Sequence, residues 1–183
     1  MTSSAIVTRY ASALVDVVVS PSAGIDPKLA LAQLKMFDAA IQASRDLRIV
    51  LASPAVSVKR KRLVIRRIAE ALGVERIILN FLLVLNDHRR AAALPEVVDA
   101  FDLLLDERLG FVRVEVASAY ELTPEQRERL AGELTKLAGG PVRSRFVVDP
   151  ELIGGVTAKL GSKVYDGSVR GQLAILRQRL AVN

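Results

Sequence analysis

The sequence predicts an α-helical region followed by a small α+β domain: an N-terminal six-helix bundle, then a short sheet with two helices. Three observations point there. Up to about residue 107, apolar residues recur at spacings of three and four, broken by proline and glycine at intervals of one helix. After Gly110 the period drops to two, in Phe111-Val112-Arg113-Val114-Glu115-Val116. The chain then closes with a hairpin pattern and one more amphipathic stretch. Short junction residues near Leu105–Gly110 separate the parts, giving domains 1–107 and 108–183.

The first helix starts at Ser3 or Ser4 and runs to about Val19. Ile6, Tyr10, Ala13, Leu14 and Val17 form its expected core stripe, and Val7, Ala11, Val15 and Val18 widen the apolar surface well beyond it. An ordinary surface helix carries one stripe about 100° wide. This one requires cover on two sides, from its own domain or from a partner helix seated in a groove. A second helix follows Asp26-Pro27, where cap and first-turn proline stand in favoured order. Its buried side takes Leu31, Leu34, Phe37 or Asp38, and Ile41. Asp46 to Leu51 makes a short third helix.

Ser57 opens the fourth, through about Leu72, with Val58, Ile65, Ile68, Ala69 and Leu72 inward. Lys59, Arg60, Lys61, Arg62, Arg66 and Arg67 make it strongly basic, and Lys61 must snorkel from the apolar side. Val74 to His88 is apolar all round, the mark of a buried or doubly covered helix. The sixth begins at Ala93-Leu94-Pro95 and ends near Leu109.

In the second part, Thr123-Pro124-Glu125-Gln126 is a capping box opening a helix whose buried side is Leu130, Leu134 and Leu137. Arg143 to Val148 reads as a strand. Val156, Ala158 and Leu160 alternate with Thr157 and Lys159, and Gly161-Ser162 supplies a two-residue turn into Lys163-Val164-Tyr165-Asp166. Ser168 then caps a last helix with Val169, Leu173, Leu176 and Leu180 on one seam, at least half of it assigned to the core.

Composition narrows the function. The 183 residues are 51% hydrophobic, which excludes a disordered chain. There is no cysteine and one histidine, His88, so thiol chemistry and histidine relays have no material. The most apolar run, Ile77 to Leu85, is interrupted by Asn80 and falls far short of the ~20 residues a bilayer needs. No leader pattern is visible at the N-terminus. The net charge of +6 comes mostly from the basic run at residues 59–67. Gly154-Gly155…Gly161-Ser162-Lys163 fails the spacing of a phosphate loop and reads as a bulged or closely packed hairpin. Asp99, Asp102, Asp106 and Glu107 read as a solvated helix face. No catalytic, metal or cofactor site emerges.

The run Leu152-Ile153-Gly154-Gly155, the hairpin, and Asp166-Gly167-Ser168-Val169-Arg170-Gly171-Gln172-Leu173 closely resemble the signature of the delta subunit of F-type ATP synthases, whose mitochondrial counterpart is the oligomycin-sensitivity-conferring protein. Arg9-Tyr10-Ala11-Ser12-Ala13-Leu14 resembles that family's opening helix, with Val15 where the family often has an aromatic. The resemblance implies a non-catalytic stator subunit without cofactor or metal. It would link the catalytic head, through alpha-subunit N-termini, to the b subunits of the peripheral stalk, so that proton-driven rotation is coupled to ATP synthesis. It implies one copy per complex and a peripheral place on the cytoplasmic face of a bacterial plasma membrane, or on a chloroplast thylakoid. Val7, Tyr10, Ala11, Leu14, Val15, Ile78, Phe81 and Leu82 are the expected head-binding residues. Gly154, Gly155, Asp166, Gly167, Ser168 and Leu173 are the C-terminal motif, structural or stalk-contacting. The rival reading is a nucleic-acid module using residues 59–67, although no aromatic residue interleaves with that run.

Overall fold

A computed structural model describes residues 4–21, 23–173 and 177 of the chain. It is mostly helical, with one four-stranded mixed sheet, and divides into two compact units, Met1–Leu105 and Asp106–Asn183.

The first unit contains α1 (Ser4–Val19), α2 (Pro27–Ala43), α3 (Arg45–Ala52), α4 (Val58–Ala71) and α5 (Arg76–Asp87), with α6 (Leu94–Arg108) running to the unit boundary. Local chemistry sets the ends. The Asp26 carboxylate accepts from Lys28 N, Ser44 Oγ from Leu47 N, and Ser57 Oγ from Arg60 N, each satisfying an amide of a first turn. A 3-10 turn at Ala91–Ala93 precedes α6 and has no distinct sequence signature. The core is built from Leu34, Phe37, Ile65, Ile78, Leu85, Phe101 and the inner face of α1.

That inner face is not the expected one. Val7, Ala11, Leu14, Val15 and Val18 are buried, whereas Ile6 and Tyr10 are half-buried and Ala13 and Val17 exposed. Of the two overlapping stripes, the core takes the one rich in valine and small residues. Ala11, fully buried, lets another helix approach closely, which the Tyr10 ring could not.

Lys61 does not snorkel. It is buried, and its Nζ donates to the Leu51 carbonyl oxygen at 2.6 Å, closing the end of α3. Burial, and secondarily the charge of Arg89, lower its pKa from the ordinary lysine value. Two polar residues with no pattern signal also tie elements together. Gln33 Oε1 accepts from Glu75 N at 2.9 Å, where α5 lacks a side-chain cap of its own. Asn86 Nδ2 donates to Val58 O at 3.1 Å, holding α5 to the start of α4.

The second unit contains β1 (Val112–Ser118), α7 (Pro124–Ala138), β2 (Val142–Val148), β3 (Val156–Leu160) and β4 (Lys163–Asp166). The sheet order is β2-β1-β3-β4. β1 and β2 are parallel, Val112 opposite Val142, joined by the α7 crossover; β1–β3 and β3–β4 are antiparallel. The capping box of α7 forms in full, Thr123 Oγ1 accepting from Gln126 N and Gln126 Oε1 from Thr123 N. Val114, Val116, Leu134 and Ala158 make a small core, with Leu130 and Phe146 at its margin. Leu137, expected inside, is exposed. The covered stripe of α7 runs through Arg127, Leu134 and Ala138, and Leu137 falls on its rim in the last turn, beyond the packed strands.

Asp106 corrects the solvated-face reading of the acidic residues near the end of α6. Its side chain is buried and bridges two arginines that face each other across the β1–β2 ladder. Oδ2 accepts from Arg113 Nε at 2.5 Å and Oδ1 from Arg143 Nη1 at 2.6 Å. Asp102 lies 2.6 Å from Lys35 Nζ. Both arginines keep over two-fifths of their side-chain surface, so solvent screens the pairing and the bridge is worth less than a fully buried one. Replacing Asp106 by alanine removes the buried carboxylate that Arg113 and Arg143 share. It should cost about 1–3 kcal/mol in urea unfolding, with the loss seen in the sheet unit.

Candidate functional site

Two regions carry the predicted residues, one in each unit. In the first, Val7, Ala11, Leu14, Val15, Ile78 and Leu82 are buried core, not open surface. Tyr10 and Phe81 alone among the eight are partly accessible. The surface α1 and α5 offer lies one step round each helix. On α1 it is Ile6, Tyr10, Ala13 and Val17; on α5 it is Ile77, Phe81, Val84 and His88. Both sets have spacings of four, three and four, a seam suited to a helical partner. Val17 is 50% and Val84 45% exposed, high for valine in an otherwise well-buried pair of helices.

The two stripes meet at Tyr10. Its ring lies 6.2 Å from that of His88, and the Arg90 guanidinium stands 6.0 Å above its face. The backbone brings them there. After the α5 cap at His88, Arg89 turns left-handed at φ 58°, and Arg90 N donates back to Leu85 O at 2.8 Å, the closure of a helix end usually made by glycine. Sequence pattern could not reveal which apolar stripe of α1 stays outward, because both are equally apolar. The polar end of the seam, His88 with Arg90, carried a faint signal only as polar residues just past the end of a hydrophobic helix.

In the second unit the C-terminal motif is a packing device. Gly155 has φ 80°, and a Cβ there would stand 2.2 Å from Gly167 O. A Cβ on Gly154 would meet Val169 Cγ2 at 3.0 Å, and one on Gly171 would meet Asp166 Oδ2 at 2.6 Å. These glycines press the start of β3 against the Asp166–Ser168 segment. Val169 N donates to Gly154 O at 2.9 Å and Gly167 N to Val156 O at 3.0 Å across the contact. Ser168 is buried, and its Oγ accepts from Gly171 N at 3.0 Å, the expected cap; residues 169–173 are helical. Asp166 Oδ1 accepts from Ser168 N at 2.8 Å. Hydrogen bonds from the Ser168 side chain and then its backbone amide lower the Asp166 pKa. Of the last seam, Val169 and Leu173 are exposed, and Leu176 and Leu180 lie outside the described residues.

No acid–base or nucleophile arrangement appears among the described residues, and no group of three His, Cys, Asp or Glu that could hold a metal. No helix among them is long and apolar enough to cross a membrane.

Three outcomes follow from this region. Gly155→Ala meets both a backbone clash and a left-handed φ, and should cost over ~2 kcal/mol in chemical denaturation. Gly161→Ala, at φ 55° with open space, should cost only about 1 kcal/mol. The Asp166 contribution has a defined pH sign. A carboxyl with a lowered folded pKa stabilises above its unfolded value, about 3.9, and the contribution disappears as pH falls through the lower folded value. Acid titration followed at the Ser168 amide by NMR should show it released only below the ordinary carboxyl range.

The chain matches the family model for the ATP synthase delta (OSCP) subunit over residues 6–180. It is 38% identical to ATP synthase subunit delta of Koribacter versatilis, covering 96% of this chain and 97% of that one. Against the protein of the same name in Anaeromyxobacter dehalogenans it is 41% identical, covering 96% of each. It superposes on a chain of the Toxoplasma gondii mitochondrial ATP synthase hexamer with a TM-score of 0.67 at 23% identity, covering 96% and 97% of the two chains, which establishes a shared fold. With motif, packing and full-length similarity in agreement, the chain belongs to the ATP synthase delta (OSCP) subunit family.

Proposed function

We propose that this protein is the stator subunit that joins the catalytic head of an F-type ATP synthase to its peripheral stalk. It performs no chemistry. It resists the torque that would turn the head with the rotor, so that proton-driven rotation is spent on ATP synthesis elsewhere in the complex. Residues 1–107, as a bundle of six helices, bind alpha-subunit N-terminal segments, and residues 108–183 hold the ends of the b subunits. One copy serves each complex, peripheral to the cytoplasmic face of a bacterial plasma membrane.

The observation that carries the head-binding assignment is the pair of apolar seams on α1 and α5 that this chain leaves uncovered, meeting at Tyr10 and His88. An amphipathic helix laid along them would cover Val17, Val84 and the half-open Phe81. An affinity near nanomolar, about −12 kcal/mol, suits a link that must outlast many turnovers. The nucleic-acid reading of residues 59–67 gains nothing from the family match. The run is also not a continuous cationic strip, since Lys61 is buried and Arg62 pairs with Asp87 at 2.9 Å.

The test is binding of the full chain to a fluorescently labelled alpha-subunit N-terminal peptide. Val17→Asp should weaken binding at least about tenfold, or ~1.4 kcal/mol, while folding stability stays within ~0.5 kcal/mol. Val15→Asp, at a core position, should instead unfold the unit. Unchanged affinity for Val17→Asp, or no peptide binding by the native chain, would overturn the assignment.

A further inference from the structure

The α4 surface carries charge that the proposed head and stalk contacts do not use. Lys59, Arg60, Arg66 and Arg67 are exposed, and none makes an ion pair among the described residues. At 100° per residue, Lys59 and Arg66 lie within about 20° of each other two turns apart, and so do Arg60 and Arg67. Leu63 projects between the two pairs and is 63% exposed, the most open of the exposed large aliphatic side chains. Glu70 follows on the line of Leu63, one turn beyond Arg66 and Arg67. The flanks are closed: Arg62 is held by Asp87, and Lys61 points inward to Leu51 O.

We propose that this α4 face is a docking surface for an acidic helical segment of a partner protein, a contact separate from the α1/α5 seam. The inference rests on the stator reading only in placing that partner within the ATP synthase complex. Charge complementarity defines the occupant. Two carboxylate-bearing turns spaced about 10 Å apart would sit one on Lys59 and Arg60 and the other on Arg66 and Arg67, with an apolar residue between them against Leu63. A cation beyond them would face Glu70 and set the direction of the partner. Four uncompensated cations within two turns repel one another, and an acidic helix relieves that repulsion while covering the one aliphatic residue among them.

Other anionic partners fit less well. A nucleic acid would gain nothing from Leu63 and would meet Glu70 in the line of its phosphates; sites of that kind spread cations over a wider surface. A lipid surface asks for an apolar or aromatic face to insert, and this face offers one leucine on a helix whose Ile65, Ile68 and Ala69 turn into the core.

The experiment uses the full chain, with benzoylphenylalanine in place of Leu63, assembled into the intact complex and photolysed. The expected result is an adduct to a polypeptide segment with net negative charge within two helical turns of the linked residue. Arg66→Glu with Arg67→Glu should cut its yield about tenfold, and raising ionic strength should do the same. These positions are exposed, so the variants keep the fold. An adduct to phospholipid, to nucleic acid or to a segment without excess acid would overturn the proposal, as would no adduct or one indifferent to the charge reversal. A parallel probe at Val17 reports on the α1/α5 contact alone, so its failure counts against the head-anchoring assignment and not against this face.

Discussion

The packing of α1 constrains the whole N-terminal unit. Nearly every residue of this helix apart from Thr8, Arg9, Ser12 and Asp16 is apolar or small, so hydrophobicity alone would let either side face inward. Sterics decide. Ala11 at the centre, flanked by Val7, Leu14, Val15 and Val18, gives a low, even surface on which neighbouring helices close without a gap. Turning α1 the other way would bring Tyr10 into that contact and expose four aliphatic residues. Once the inner stripe is fixed, the outer one is only partly covered among the described residues, with Ile6 and Tyr10 half-buried and Val17 exposed. The same packing decision that stabilises the unit therefore leaves Val17 exposed on the opposite side of the helix.

Much of this was legible in the residues. Caps at Asp26, Ser57, Thr123 and Ser168 act over one helical turn and are read directly, and the hairpin turn at Gly161-Ser162 follows from local backbone preference. The change of period after Gly110 marks the passage from helices to sheet. What sequence spacing could not settle was choice among equally apolar faces. Of the expected core stripe Ile6, Tyr10, Ala13, Leu14 and Val17 only Leu14 is buried, and six of the eight expected contact residues are buried in this chain. Nor could spacing anticipate long-range polar ties. Asp106 to Arg143, Gln33 to Glu75 and Lys61 to Leu51 join positions whose proximity exists only in the fold.

The sheet unit solves a different problem. Its core contains few fully buried side chains, too small to fix the geometry by hydrophobic burial alone. Two devices supplement it. At one end of the β1–β2 pair, a buried carboxylate holds two arginines together. At the turn from β4 into the last helical segment, glycines allow backbone to press on backbone where a single methyl group would not fit. Gly155 and Gly167 thus hold their places by steric need, since a side chain at either would meet backbone atoms of the other segment.

The sole histidine of the chain stands where the two outward seams converge, next to Tyr10 and beneath no other aromatic ring. A protein without tryptophan or cysteine offers few intrinsic reporters, yet here a single imidazole signal is assigned before any spectrum is recorded. Its ring protons would sense occupancy of the adjacent surface without label or mutation. The one imidazole of this molecule is thus its natural spectroscopic sentinel.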